Sequence, residues 1–248
     1  LLRADQPIDT LIMAHGYDIP VSDDVRMQAA EESLRQVAAD LGIRAVVIRT
    51  NLRKHSLWRR SPWGRTHGGP TAALGHLLRR SLREVRISAS YPRVFDQPWG
   101  SHWRIDPCWS SATLAVVHVG DEKWRTDKLL DIIDEPAVRR HLRVCRANRS
   151  PTGNCGRCEK CIRTMLILDG AGQLENFALF PLAPQLARNI DALAKLKPDV
   201  MTVYRAFLEA EHSPEVRTAV ERLLQRSGGN RWMFQIQKLW RQPKYGEI

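Results

Sequence analysis

No stretch of this chain approaches the ~18 consecutive apolar residues of a membrane-spanning helix, so no segment is expected to cross a bilayer. Its first residues, Leu1-Leu-Arg-Ala, lack the charged-then-apolar layout of a signal peptide. There is no internal repeat and no low-complexity tract, which argues against a solenoid or a disordered polar chain. Cysteine is sparse: five among 248 residues are too few for the disulfide framework of a small secreted domain. Acidic residues are outnumbered, 27 against 38 lysines and arginines, giving a formal charge of +11. That excess points to polyanionic or phosphorylated partners, nucleic acid or nucleotide, and charge alone does not choose between them. Reduced cysteines available for a metal make a cytoplasmic location the expectation.

What is present is enough for a folded core. Hydrophobic residues make up 43% of the chain, eight of them tryptophan, and the length suits one large α/β domain or one such domain with a helical appendage. The most specific pattern is C-x9-C-x2-C-x2-C, formed by Cys145, Cys155, Cys158 and Cys161. A two-residue gap lets two thiolates on one tight turn reach one metal, and Gly156 suits that turn. Glu159 to Leu168 reads as the start of a helix, which places Cys158 and Cys161 on the same side of its first turn. Thiolates suit zinc or an iron–sulfur cluster. The bacterial cluster run would need a fourth cysteine just after the third, followed by proline, and Ile162 to Leu166 supplies none, so zinc is favoured. Four cysteines close the coordination shell, which makes the metal structural. Cys108 has no partner in sequence and reads as a buried thiol.

Along the chain, Asp9 to Ala14 reads as a buried strand, followed by the polar loop His15-Gly-Tyr-Asp18. Asp23 or Asp24 caps a helix through Leu41, its apolar positions at helical spacing and Gly42 closing it. Arg44 to Thr50 is the next strand, and a βαβ unit of this length makes the two strands parallel. A basic, aromatic stretch follows, with Arg53, Lys54, Trp58, Arg60, Trp63 and Arg65. It suits phosphates and bases, or else a solvated loop whose tryptophans fold back on the core. A helix over Thr71–Leu82 and a strand over Val85–Ser88 come next. Ligand crevices of open parallel sheets lie beyond the carboxyl ends of strands, which singles out Ser88, Ser90 and Tyr91. Phe95 to Ser111 is a long irregular connection carrying His102, Asp106 and Ser110; triad members normally come from distant segments, so their closeness in sequence argues little for a triad. Thr113 to Val119 is a strand, and Glu122 to Leu130 a helix with Arg125, Asp127 and Lys128. A helix over Asp134–Val144 delivers Cys145. Beyond about residue 185 the chain reads as helical: Leu186–Leu196, Val200–Ala210, Pro214–Gln225 and Arg231–Trp240. The apolar stripe of the last most simply docks on the domain, a homodimer contact being the sharper alternative.

Strand–helix alternation followed by these cysteines resembles the PP-loop ATP pyrophosphatase superfamily, in particular the 7-cyano-7-deazaguanine synthase branch and its uncharacterised relatives. The likeness rests on His15-Gly-Tyr-Asp-Ile-Pro20, Thr50-Asn-Leu-Arg53, Pro98-Trp-Gly-Ser-His102, Asp106-Pro-Cys-Trp-Ser110 and Asn154-Cys-Gly-Arg-Cys-Glu-Lys-Cys161, within residues 8 to 170. Those synthases carry a similarly spaced zinc site and, just before it, Thr-Lys-Ala-Glu at a helix start, where this chain has Trp124-Arg-Thr-Asp127. The resemblance implies an open parallel sheet with flanking helices over residues 1–144, a zinc module over 145–172 and a helical extension over 173–248. It implies an ATP-dependent ligase that uses Mg2+ and activates a small-molecule carboxylate or similar oxygen as an AMP ester, releasing pyrophosphate, before nitrogen or sulfur transfer. Arg125, Asp127 and Lys128 would then be catalytic, His15, Asp18, Arg53 and Ser88 nucleotide-binding, and Ser90, Tyr91, His102, Asp106 and Ser110 on the substrate side. The superfamily's phosphate loop, Ser-Gly-Gly-x-Asp-Ser, is absent from the 248 residues and is expected upstream of Leu1. An RNA-binding or tRNA-modifying zinc protein and a non-catalytic scaffold are the competing readings.

Overall fold

The structure is a computed structural model describing residues 7–145, 150, 153–181 and 185–228, with only the backbone of Arg59, Pro198 and Asp199 considered. The expected helix over Arg231–Trp240, with its docking or dimer stripe, and the start of the chain lie outside these residues. The chain divides into two compact units: residues up to 154 together with 176–179, and residues 155–175 together with 180 onward.

In the first unit, β1 (Thr10–His15) and β2 (Arg44–Arg49) pair in parallel with Thr10 opposite Arg44 and His15 opposite Arg49. Helix α1 (Asp24–Asp40) makes the crossover. Asp23 caps it by accepting the Arg26 N–H at 3.2 Å, and Gly42, at φ +67°, turns the chain into β2. Met27, Ala30 and Ala38 are its buried residues. Gly16 leaves β1 at φ +115°, and a Cβ there would lie 1.8 Å from the Thr50 carbonyl oxygen, so only glycine fits this close approach of the two strand-end loops.

Two short helices, α2 (Ser56–Arg60) and α3 (Trp63–Thr66), lead to α4 (Gly68–Leu77). The α4 helix stops five residues before the expected Leu82: Arg79, Arg80 and Ser81 are exposed, and Leu82 packs beside Val85 on the core of the next strands. Strands β3 (Glu84–Ser88) and β4 (Ala115–Val119) form a second parallel pair. Ala72, Ile87, Leu114 and Val116 are the core under this pair. Among the described residues the strands form two two-stranded parallel sheets.

Helix α5 (Arg125–Asp131) follows β4, and α6 (Pro136–His141) replaces the longer helix expected over Asp134–Val144. The cause is Asn154. Its side chain donates to the Leu142 carbonyl at 2.8 Å and accepts from the N–H groups of Val144 at 2.9 Å and Cys145 at 3.2 Å, diverting backbone groups that a helix would need.

The second unit is helical: α7 (Glu159–Gly170), α8 (Leu186–Asp191), α9 (Pro198–Phe207) and α10 (Pro214–Arg226). Ile162, Met165, Leu166 and Leu168 of α7 are fully buried, as are Leu186, Ile190, Tyr204, Val220 and Leu223. Helix α8 ends before the expected Leu196 because Arg226 donates to the carbonyls of Ile190 and Asp191, satisfying its last turn from outside. His212, shut off from solvent, bridges Asp169 and the Phe207 carbonyl. No helix among the described residues is long and apolar enough to cross a membrane.

Within the first unit, Asp40 at the end of α1 accepts from His141 at 2.7 Å and from Arg140 at 2.9 Å. These hydrogen bonds, that of His141 first, hold its carboxyl below the usual range. The contribution is therefore complete above the ordinary carboxylate pKa and is lost as pH falls through the lowered one. Comparing melting temperatures of the protein and Asp40→Asn should give a gap at neutral pH that closes only in strong acid. A gap absent at neutral pH would contradict the assignment.

Candidate functional site

The four sulfurs of Cys145, Cys155, Cys158 and Cys161 lie within 4.8 Å of one another, a group that could hold a metal ion. None of the four is in a disulfide; Cys145 and Cys161 are buried and the other two half-buried. The Cys155 and Cys161 sulfurs are 3.9 Å apart, far beyond a disulfide and close to the ~3.8 Å edge of a tetrahedron with zinc–sulfur bonds of ~2.3 Å.

Each sulfur is positioned by a local device. Gly156, at φ +62°, makes the turn after Cys155 and leaves the Cys158 N–H pointing at the Cys155 sulfur, 3.3 Å away. A Cβ at Gly156 would meet Pro181 at 2.2 Å, and Asn189 donates to the Gly156 carbonyl at 3.0 Å, so the turn is fixed by packing and hydrogen bonding. Cys158 is the N-cap of α7 and Cys161 lies in its first turn, the helix being anchored by its buried apolar residues. Asn154 orients Cys145 through the backbone contacts described above. Asn154 is thus a positioning residue that cysteine spacing does not reveal; its place next to Cys155 was the available signal.

The fifth cysteine is a correction. Cys108 is exposed, not buried: it lies in the 3-10 turn Asp106–Trp109, where Pro107 starts a surface turn and the thiol donates to the Arg104 carbonyl.

Polar groups also gather at the carboxyl ends of β3 and β4. Ser88 ends β3 and is exposed, and Ser90 is half-buried. Between them the Ala89 carbonyl accepts from Lys128 Nζ at 3.1 Å, while the Gly120 carbonyl, just past β4, accepts from the same nitrogen at 2.7 Å. Burial first, then the charge of Arg125, lowers the Lys128 pKa. Arg125 and Asp127 are exposed in the first turn of α5. Tyr91 packs against Phe95 and Trp99, at centroid distances of 5.5 and 5.4 Å.

The long connection is organised differently from its sequence order. Asp106 is fully buried and accepts from Ser101 Oγ at 2.6 Å, His118 Nδ1 at 2.7 Å and the His102 N–H at 3.2 Å. The His102 ring turns away to Asp96, 2.7 Å distant, and Ser110 accepts the Val116 N–H near the start of β4. Ser101 and His118 both bond to Asp106, and no hydrogen bond joins them to each other, so this is a loop clamp and lacks the nucleophile–base contact of a triad.

At the other strand pair His15 is buried, its Nε2 3.0 Å from the Pro20 carbonyl, and borders an open cavity of about 520 Å³ with Met27, Glu31, Val47 and Arg49. Asp18 is exposed. Arg53 donates to the Tyr17 carbonyl at 2.9 Å and its guanidinium lies 4.5 Å from the Trp63 ring centre. Trp63 is the hub of the basic stretch, with Tyr17 and Trp58 edge-on to it. Burial pushes the Tyr17 phenol up to about 12. The structure thus joins Lys128 with the Ser88–Ser90 segment, and Arg53 with the loop after His15, whereas Asp106 and Ser110 bond within the long connection and to β4.

No protein-family model matches the chain, and no match is found among curated proteins or solved structures.

The clamp makes a graded prediction. Asp106→Ala strands two buried donors and should cost about 2–4 kcal/mol in denaturant unfolding. His102→Ala, whose partner Asp96 is exposed, should cost about 1 kcal/mol or less. Equal losses would show that Asp106 does not organise the connection.

Proposed function

We propose that this chain is a zinc-bearing, ATP-dependent ligase of the PP-loop type. A carboxylate oxygen of the substrate attacks the α-phosphorus of ATP; the new P–O bond forms as the bond to the bridging oxygen breaks and pyrophosphate leaves. A nitrogen or sulfur nucleophile then displaces AMP from the acyl carbon. Mg2+ accompanying ATP would offset phosphate charge in this reading.

The observation that carries the proposal is Lys128. A partly buried ammonium spans the carboxyl ends of two parallel strands, where such folds place their ligands. Two of its three N–H donors are held by carbonyls, which fixes the nitrogen and leaves the third for a phosphate oxygen. A preorganised cation in a partly dehydrated site stabilises charge developing on the phosphate better than a mobile surface lysine does. Ser88 and Ser90 flank the same point and supply hydroxyls, and exposed Arg125 supplies a second cation from α5.

The cysteines serve this reading as a structural site. Zinc bound by Cys145, Cys155, Cys158 and Cys161 would supply folding energy and no open coordination position. The donor set fits the ion: four thiolates suit it by softness, and their spacing suits its geometry.

The test is pyrophosphate release from ATP by the intact natural polypeptide, across a panel of small carboxylates. Lys128→Met should lower the rate about a hundredfold or more. Arg125→Ala should lower release and leave zinc content and melting temperature nearly unchanged. Absence of carboxylate-dependent release, or release indifferent to Lys128→Met, would overturn the proposal.

A further inference from the structure

The net positive charge of this protein comes almost wholly from one part of the chain. From Leu41 to Arg83 there are ten arginines and lysines and no aspartate or glutamate. The remainder, with 28 basic and 27 acidic residues, is close to neutral. Ordinary surfaces intersperse the two signs, because uncompensated like charges repel. A solvated face with no partner gives no reason for omitting every acid over 43 residues.

Folding leaves much of this charge uncompensated. Arg44 and Arg49 reach Asp9 and Asp24, and Arg53 is held by Tyr17 and Trp63. Lys54, Arg60 and Arg65 are exposed, and none has an ion pair among the described residues. All three lie between the carboxyl end of β2 and the start of α4, the stretch that folds around Trp63. The hub turns the aromatic rings inward and leaves charged side chains outward.

From this arrangement we infer that the segment Leu52–Thr66 is a docking surface for the phosphate backbone of a nucleic acid. Nine of the ten cations are arginine, whose planar fork matches phosphate oxygens in pairs. A membrane surface is the weaker fit. Interfacial binding needs an amphipathic helix with an apolar face, whereas α2 has five residues and α3 four. Trp63 is committed to packing, and Leu57 is the large apolar side chain of this segment that stands well exposed. The surface binds by charge and does not depend on the ATP reading.

The experiment measures anisotropy of a labelled single-stranded RNA of about 20 nucleotides with the full chain, from about 50 to 200 mM salt. The triple variant Lys54→Gln, Arg60→Gln, Arg65→Gln is compared with the protein. A control, Arg35→Gln, Arg104→Gln, Arg222→Gln, removes the same charge from arginines already paired with acids elsewhere. Each phosphate contact on a single strand adds about 0.7 to the slope of log affinity against log salt, so the first triple should lower the slope by about two. Its affinity at low salt should fall at least tenfold, with zinc content and melting temperature preserved, while the control binds as the unmodified protein does. Equal losses in both triples would reduce the effect to net charge and overturn the assignment. So would an unmodified protein that ignores the RNA, or one that prefers phosphatidylserine vesicles.

Discussion

Four thiol groups gathered at one point set the strongest constraint in this molecule. As neutral thiols they are weak hydrogen-bonding groups and offer little reason to converge. As thiolates within 4.8 Å they repel one another, each pair by about 1–4 kcal/mol at such distances in water or near a protein surface. A bound cation reverses the sign of that balance. The surrounding devices make sense on this footing: a left-handed glycine after Cys155, a helix start that presents Cys158 and Cys161, and an asparagine that bends the backbone before Cys145. Each aims a sulfur at the same point.

A second constraint follows from parallel pairing. Parallel strands deliver their carboxyl ends to the same side, so the loops that follow are neighbours whatever their separation in sequence. This is how Lys128 comes to hold both Ala89, after β3, and Gly120, after β4, and how Arg53, after β2, reaches Tyr17, after β1. The long connection after β3 is pinned by the buried carboxylate of Asp106, so its tryptophans and arginines sit on a fixed scaffold. The guanidinium groups of Arg93 and Arg104 lie over the Trp103 ring, 4.8 and 4.5 Å from its centre.

Local signals were readable and long-range ones were not. The limits of α1 follow from Asp23 and Gly42, the parallel pairing of β1 with β2 from the intervening helix length, and the metal group from cysteine spacing. Helix ends differ from expectation where a distant residue intervenes: Asn154 stops α6, twelve residues from the carbonyl it captures, and Arg226 caps α8 from 36 residues away. Neither leaves a trace in local periodicity. His118 sits in the apolar strand Ala115–Val119, whose pattern carries no sign of its bond to Asp106. Hydropathy treats the Cys108 thiol as buried, whereas Pro107 commits it to a surface turn. The basic stretch was visible as composition; its division into an inward aromatic hub and outward cations is a property of the fold.

The central proposal is that the four cysteines, a group that could hold a metal ion, bind one zinc on which folding depends. Elemental analysis of purified protein, combined with X-ray absorption at the zinc edge and unfolding in the presence of a strong chelator, addresses it directly. The account predicts one zinc per chain, four sulfur neighbours at about 2.3 Å, and loss of cooperative unfolding once the metal is withdrawn. A folded protein without metal, iron with acid-labile sulfide, or a zinc shell containing oxygen or nitrogen would contradict it.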